Sequence, residues 1–175
     1  LLDQLAKASG ELVRLAVVDG DELTFVAKAQ GATRGLRYDP DMGLSVALSC
    51  SAAGIAWLST MSDDEAMTLV AKKGLGKPED FGPKAPTSIK GVMTLVKASR
   101  QQGFSMIVDV FGPGMSSMAA PVLDFQGRAI GVVTIAGPSV RLNAARMEAL
   151  GPALLEAAQE VSRASTASSL FKKCA

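Results

Sequence analysis

Residues 12–29 read LVRLAVVDGDELTFVAKA: two apolar segments, Leu12 to Val18 and Leu23 to Ala29, with Asp19-Gly20 between them. Valine, leucine and phenylalanine suit a pleated surface, and Asp-Gly is a strong signal for a tight turn between two strands. The stretch predicts a β-hairpin. Residues 118–135, MAAPVLDFQGRAIGVVTI, repeat the arrangement, with Met118 to Leu123 and Ala129 to Ile135 joined across Asp124 to Arg128. Just before them Phe104, Met106, Val108 and Val110 alternate with Ser105, Ile107 and Asp109. That alternation predicts a strand with one buried face. Phe111 to Ser116 contains Gly112-Pro113-Gly114 and must bend. Strands joined by hairpins imply an antiparallel sheet, and helices must cover its faces, so the class is α+β.

The helices are legible from spacing and caps. Leu1, Leu2, Leu5 and Ala8 mark one face of a short helix that stops at Gly10. Ser49 to Leu58 predicts a helix whose first turns, Ser49-Cys50-Ser51-Ala52-Ala53-Gly54, carry little side-chain bulk. Ser62 followed by Glu65 is a capping box for a helix to about Lys73. Residues 74–86 hold three prolines and read as a loop. Thr87 can cap the next helix, in which Ile89, Val92, Met93 and Val96 recur at helical spacing before Gly103. Asn143 caps a last helix with Met147, Leu150, Leu154, Ala158 and Val161 inward, and Pro152 should bend it near Glu148. The Ser-rich end from Ser165 reads as frayed. No internal repeat, linker or second domain is visible, so residues 1–175 read as one domain.

A chain of 175 residues with 48% apolar residues can bury a full core without disulfides. No apolar run approaches the ~20 residues that cross a bilayer, and no signal peptide opens the chain. Cys50 and Cys174 are far apart and read as reduced thiols of a cytoplasmic protein. The net charge is +1, and the pairs Lys72-Lys73 and Lys172-Lys173 read as solvated faces rather than a basic stripe. This chain is therefore not expected to hold DNA by itself.

The chain contains no histidine. That removes Ser-His-Asp and Cys-His activation, the commonest general base, and two-histidine metal sites. Two remote cysteines cannot form a thiolate zinc site. Gly74-Leu75-Gly76-Lys77 lacks the opening glycine of a phosphate loop. No enzyme is indicated, and no metal or cofactor. The small residues at 49–54 have two readings. Free backbone N–H groups at a helix start can bind an anion, with Ser, Ala and Gly allowing close approach. Close helix packing also wants small residues. Cys50 in that turn reads as a small buried hydrophobe, the alternative being a thiol of lowered pKa.

Taken together, several segments resemble the effector domain of bacterial transcription regulators of the IclR family. They are Gly10-Glu11, Gly43 before the run Val46 to Ala56, and Arg100-Gln101-Gln102-Gly103-Phe104. Met118 to Asp124 with Gly127, Ile135 to Ser139 and Ala157 to Ser162 complete the set. The resemblance implies a GAF-like fold: a curved antiparallel sheet with helices on one side and a pocket between sheet and loops. It implies a small organic acid as effector, its carboxylate on the backbone amides at Ala52-Ala53 with Ser51 beside them. Other pocket positions implied are Val46, Ile107, Met115, Ser117, Thr134 and Ala136. Mostly apolar side chains there favour an aliphatic or aromatic acid, held without any Arg or Lys, and Ile107 with Met115 could instead plug the pocket. The resemblance also implies a homodimer or tetramer, with DNA bound only through an N-terminal winged helix-turn-helix absent from this chain, which opens on Leu1 rather than Met. The sequence departs from the family pattern where Ser49 replaces its histidine, Ile55 its lysine, Ala52 a glycine and Ile107 an acidic residue. Competing functions are a GAF-fold enzyme akin to methionine sulfoxide reductase, using Cys50 and Cys174, and an oligomerisation module without ligand.

Overall fold

A computed structural model describes residues 1–43 and 45–166. Helix α1 (Leu2–Ser9) leads into the hairpin β1 (Leu12–Asp19) and β2 (Glu22–Gln30). Helices α2 (Ala52–Leu58), α3 (Asp63–Lys73) and α4 (Ile89–Gln102) follow, with a 3-10 turn at Pro78–Asp80. Strands β3 (Ser105–Val108), β4 (Met115–Leu123) and β5 (Ala129–Pro138) precede α5 (Ala144–Ser165), which runs unbroken through Pro152. All strand pairs are antiparallel, in the order β2-β1-β5-β4-β3. The expected α+β class and both hairpins are present.

The sheet is covered on both faces, not on one as the resemblance implied. Ala16, Ala119 and Val132 pack with α2, α3 and α4. Val13, Leu15, Ala120, Val122, Val133 and Ile135 pack with α1 and α5. This explains why β5 is buried at eight consecutive positions, Gly131 to Pro138, rather than at every second one.

The same double cover corrects the reading of residues 104–110. The strand is shorter, Ser105–Val108, and its better-buried residues are Ser105 and Ile107. Met106 and Val108 are half-buried against the α5 side. Alternation identifies two faces but not which neighbour covers each more completely. Other corrections are local. In α1 the buried residues are Leu5, Ala6 and Ser9, while Ala8 is exposed. Ser88, not Thr87, caps α4: its hydroxyl accepts from the Gly91 N–H at 3.1 Å. Lys72 and Lys73 are exposed, as expected, and pair at the surface with Asp21 and Glu22 of the β1–β2 turn. The capping box at Ser62 and Glu65 and the Asn143 cap form as expected. The frayed tail, Lys172-Lys173 and Cys174 lie outside the described residues.

One buried charge is structural. The Glu11 side chain, 4% exposed, accepts from Arg141 Nε at 2.7 Å and from Nη2 at 2.9 Å. That bidentate pair joins the entry of β1 to the turn after β5, and it compensates most of the cost of burying the carboxylate.

Candidate functional site

The segment before α2 is the structural centre of the site. The helix does not begin at Ser49 as the small-residue run suggested; it begins at Ala52, with Ser51 as its cap. Ser51 Oγ accepts from the Gly54 N–H at 3.0 Å and donates to the Ala47 carbonyl at 2.7 Å. With Gly54 satisfied by the cap, the first N–H groups of the helix, those of Ala52 and Ala53, have no intrahelical acceptor. Both readings of the small residues are realised, at different positions. Gly54 is small for packing: a Cβ there would stand 2.2 Å from the Leu48 carbonyl oxygen. Ala52 and Ala53 are small beside a cavity.

That cavity, of about 300 Å³, lies between the sheet and the start of α2. Eight of the positions carried over by resemblance line it together: Val46, Ser51, Ala52, Ala53, Met115, Ser117, Thr134 and Ala136. Ile107 does not. It is 4% exposed and packed in the core with α2 and α4, so it neither contacts the space nor plugs it. Met115 is in the wall.

The outer wall is aromatic, which sequence reading missed. Phe25, Tyr38, Phe81 and Phe111 all line the cavity. Backbone hydrogen bonds from Gly82 to the Val110 carbonyl and from Lys84 to the Asp109 carbonyl, each 2.9 Å, fasten the 81–85 loop to the bend after β3. Phe81 and Phe111 then meet edge to face, centroids 6.1 Å apart, and Tyr38 meets Phe111 at 6.5 Å. Such pairings give a rigid wall at low entropic cost. No signal short of long-range contact prediction joins these four residues, since they come from a strand and three loops.

A second omission is Arg14. The expected pocket held no Arg or Lys; the observed one has Arg14 in its wall. The residue lies in the middle of β1, paired with Thr134 of β5 and Lys28 of β2. Because both sheet faces are covered, its side chain has to enter the interior, and the residue is only 9% exposed. The guanidinium carbon sits 3.7 Å from the Phe25 ring centroid and 5.7 Å from that of Tyr38. Burial pushes the Arg14 pKa below its usual value, while the adjacent Tyr38 hydroxyl holds it up. Burial likewise raises Tyr38, with Arg14 opposing. Arginine has enough margin to keep its proton at neutral pH despite this. One charged residue inside an apolar strand was the available signal. Asp41 also borders the cavity, at its exposed rim.

Cys50 is fully buried, its Sγ 3.4 Å from Ser49 Oγ, and it is not among the lining residues. Among the described residues no group of histidine, cysteine or carboxylate side chains could hold a metal, and no helix is long and apolar enough to cross a membrane.

Comparison with known proteins places this geometry. The family model described as bacterial transcriptional regulator IclR, C-terminal, matches residues 1–163. The chain is 27% identical over 162 residues to the HTH-type transcriptional regulator BhcR of Paracoccus denitrificans, covering 93% of this chain and 57% of that protein. It thus spans less than two thirds of the length of such relatives. A crystal structure of IclR from Thermotoga maritima superposes with a TM-score of 0.81 at 22% identity, over 93% of this chain and 64% of that one. A double mutant of the inducer-binding domain of the PobR transcription factor from Acinetobacter, in complex with 3-hydroxybenzoic acid, superposes with a TM-score of 0.78 at 21% identity. That match covers 92% of this chain and 93% of the other.

Proposed function

Since the chain belongs to the family of C-terminal domains of bacterial IclR-type transcriptional regulators, we propose that it is an effector sensor whose cavity takes a small organic acid with an apolar or aromatic body. The observation that carries this reading is the cavity itself: about 300 Å³, at the small end of the range for ligand pockets, with mostly apolar walls and a few placed polar groups. In this reading the acid sets a carboxylate against the N–H groups of Ala52 and Ala53, beside Ser51. Its body lies along Val46, Met115 and Ala136, with Ser117 and Thr134 offering hydroxyls. The aromatic acid held by the double mutant of the PobR inducer-binding domain supports the same ligand class. The chain carries no catalysis; its output is a change in DNA binding by a winged helix-turn-helix elsewhere in the regulator, within a cytoplasmic homodimer or tetramer.

An acid of glyoxylate size would leave the aromatic wall unfilled, whereas each buried CH₂ equivalent contributes about 0.8 kcal/mol. Titration calorimetry with this chain is therefore expected to show affinity rising from pyruvate through aliphatic acids to benzoate. Tighter binding of pyruvate than of every larger acid would overturn the assignment of ligand class.

A further inference from the structure

We infer that Arg14 is a second anion receptor of this cavity, and that the effector is accordingly a diacid: a flat body with one carboxylate for the Ser51–Ala53 turn and another for the Arg14 guanidinium. The inference rests on the reading of the cavity as an acid site. It goes beyond that reading because the turn alone accounts for one carboxylate only.

Glu11 is buried and has a bidentate partner in Arg141. Arg14 is buried to a similar degree and has no carboxylate within ion-pair distance among the described residues. Its Nε–H makes no hydrogen bond among them. A buried cation without a counter-charge is costly, and stacking on Phe25 together with the contact to the Tyr38 hydroxyl recovers only part of that cost. Arg14 lines the cavity, so the missing partner can come from a molecule inside it. Phe25 stacks on the guanidinium and Tyr38 stands beside it, while Nε is itself enclosed by protein. The two terminal nitrogens are then the donors offered to a carboxylate, which can accept a pair of parallel N–H bonds from them. The aromatic wall of Phe81 and Phe111 suits a planar body between the two ends.

The test compares benzoate with the three benzenedicarboxylates by titration calorimetry, on the wild-type chain and on Arg14→Met, a neutral side chain of similar length. At least one diacid is expected to bind the wild type about tenfold or more tighter than benzoate, as a charge-assisted bidentate contact implies. In Arg14→Met the advantage of the diacid over benzoate, both measured on that variant, should fall to within about threefold. A ligand-side arm needs no folded variant: the monomethyl ester of the best diacid should bind the wild type no better than benzoate. Diacids no tighter than benzoate on the wild type, or an advantage that survives in Arg14→Met or in the ester, would overturn the inference and leave the acid-sensor reading standing. Failure of benzoate and every diacid to bind the wild type would overturn both.

Discussion

Gly54→Ala is expected to cost the domain about 3 kcal/mol or more, read as a fall in the midpoint of urea unfolding at unchanged slope. The residue stands where α2 crosses the backbone that precedes it. An added Cβ would lie 2.2 Å from the Leu48 carbonyl oxygen and 2.4 Å from its Cα, and these are backbone atoms that no rotamer change can move. Helix α2 would have to shift away from residue 48, and all seven of its residues are buried. Overpacking a side chain against flexible neighbours costs less, so Gly112→Ala serves as the comparison. A Cβ there meets only the Met115 side chain, at 3.8 Å, and should change stability by under about 1 kcal/mol. A Gly54→Ala protein as stable as the wild type would mean that α2 is not seated against residue 48 as described. Because the same seat holds Ser51, Ala52 and Ala53 at the cavity, the variant should also lose acid binding to the extent that it stays folded.

Ala53→Glu carries the largest expected effect on binding, a loss of about 100-fold or more for benzoate-like acids. Ala53 lines the cavity beside the amides assigned to the carboxylate, so the longer side chain fills the place of the ligand with both volume and charge. Like charges at contact distance in a partly desolvated site repel strongly. Ala53 is buried in the core as well as bordering the cavity, so thermal melting of the variant accompanies the titration and separates lost binding from lost stability. Ala53→Gln supplies the same bulk without the charge and should lose less affinity than the glutamate variant. Benzoate affinity unchanged in Ala53→Glu would remove the Ser51–Ala53 turn from the site.

Much of the fold could be read from local patterns because local chemistry dictates it. Asp19-Gly20 closes a hairpin, and Ser62 with Glu65 or Asn143 starts a helix whatever surrounds them. Where the reading failed, the deciding contact came from elsewhere in the chain. The face of β3 depended on which helices lie over an edge strand, and so Ile107 went to the core rather than to the cavity. The start of α2 is the local exception: Ser51 caps the helix through Gly54 and bonds back to Ala47, which sets the helix three residues beyond Ser49. The carried-over site positions assemble because they sit on paired strands: Ser117 faces Ala136 across β4 and β5, and Thr134 faces Arg14 across β5 and β1. That last pairing also shows what was overlooked. Arg14 in LVRLAVV looks like the tolerated polar residue of a half-exposed strand, and only the cover on both faces turns it into a buried cation. Phe25, Tyr38, Phe81 and Phe111 carry no shared local signal at all, since their meeting depends on how loops fold back over the sheet.

The central claim is that a small acid occupies the cavity at the start of α2, and methyl-resolved NMR tests it most directly. With alanine, valine and methionine methyls labelled, benzoate added to saturation should shift Val46, Ala52, Ala53, Met115 and Ala136, all of which line the cavity. Ala8, Ala153 and Ala157, in the groove between α1 and α5, should stay in place and serve as internal controls. Saturable shifts confined to the first group are the predicted result. No shift at any concentration for benzoate or a diacid, or shifts centred on the α1–α5 groove, would contradict the account.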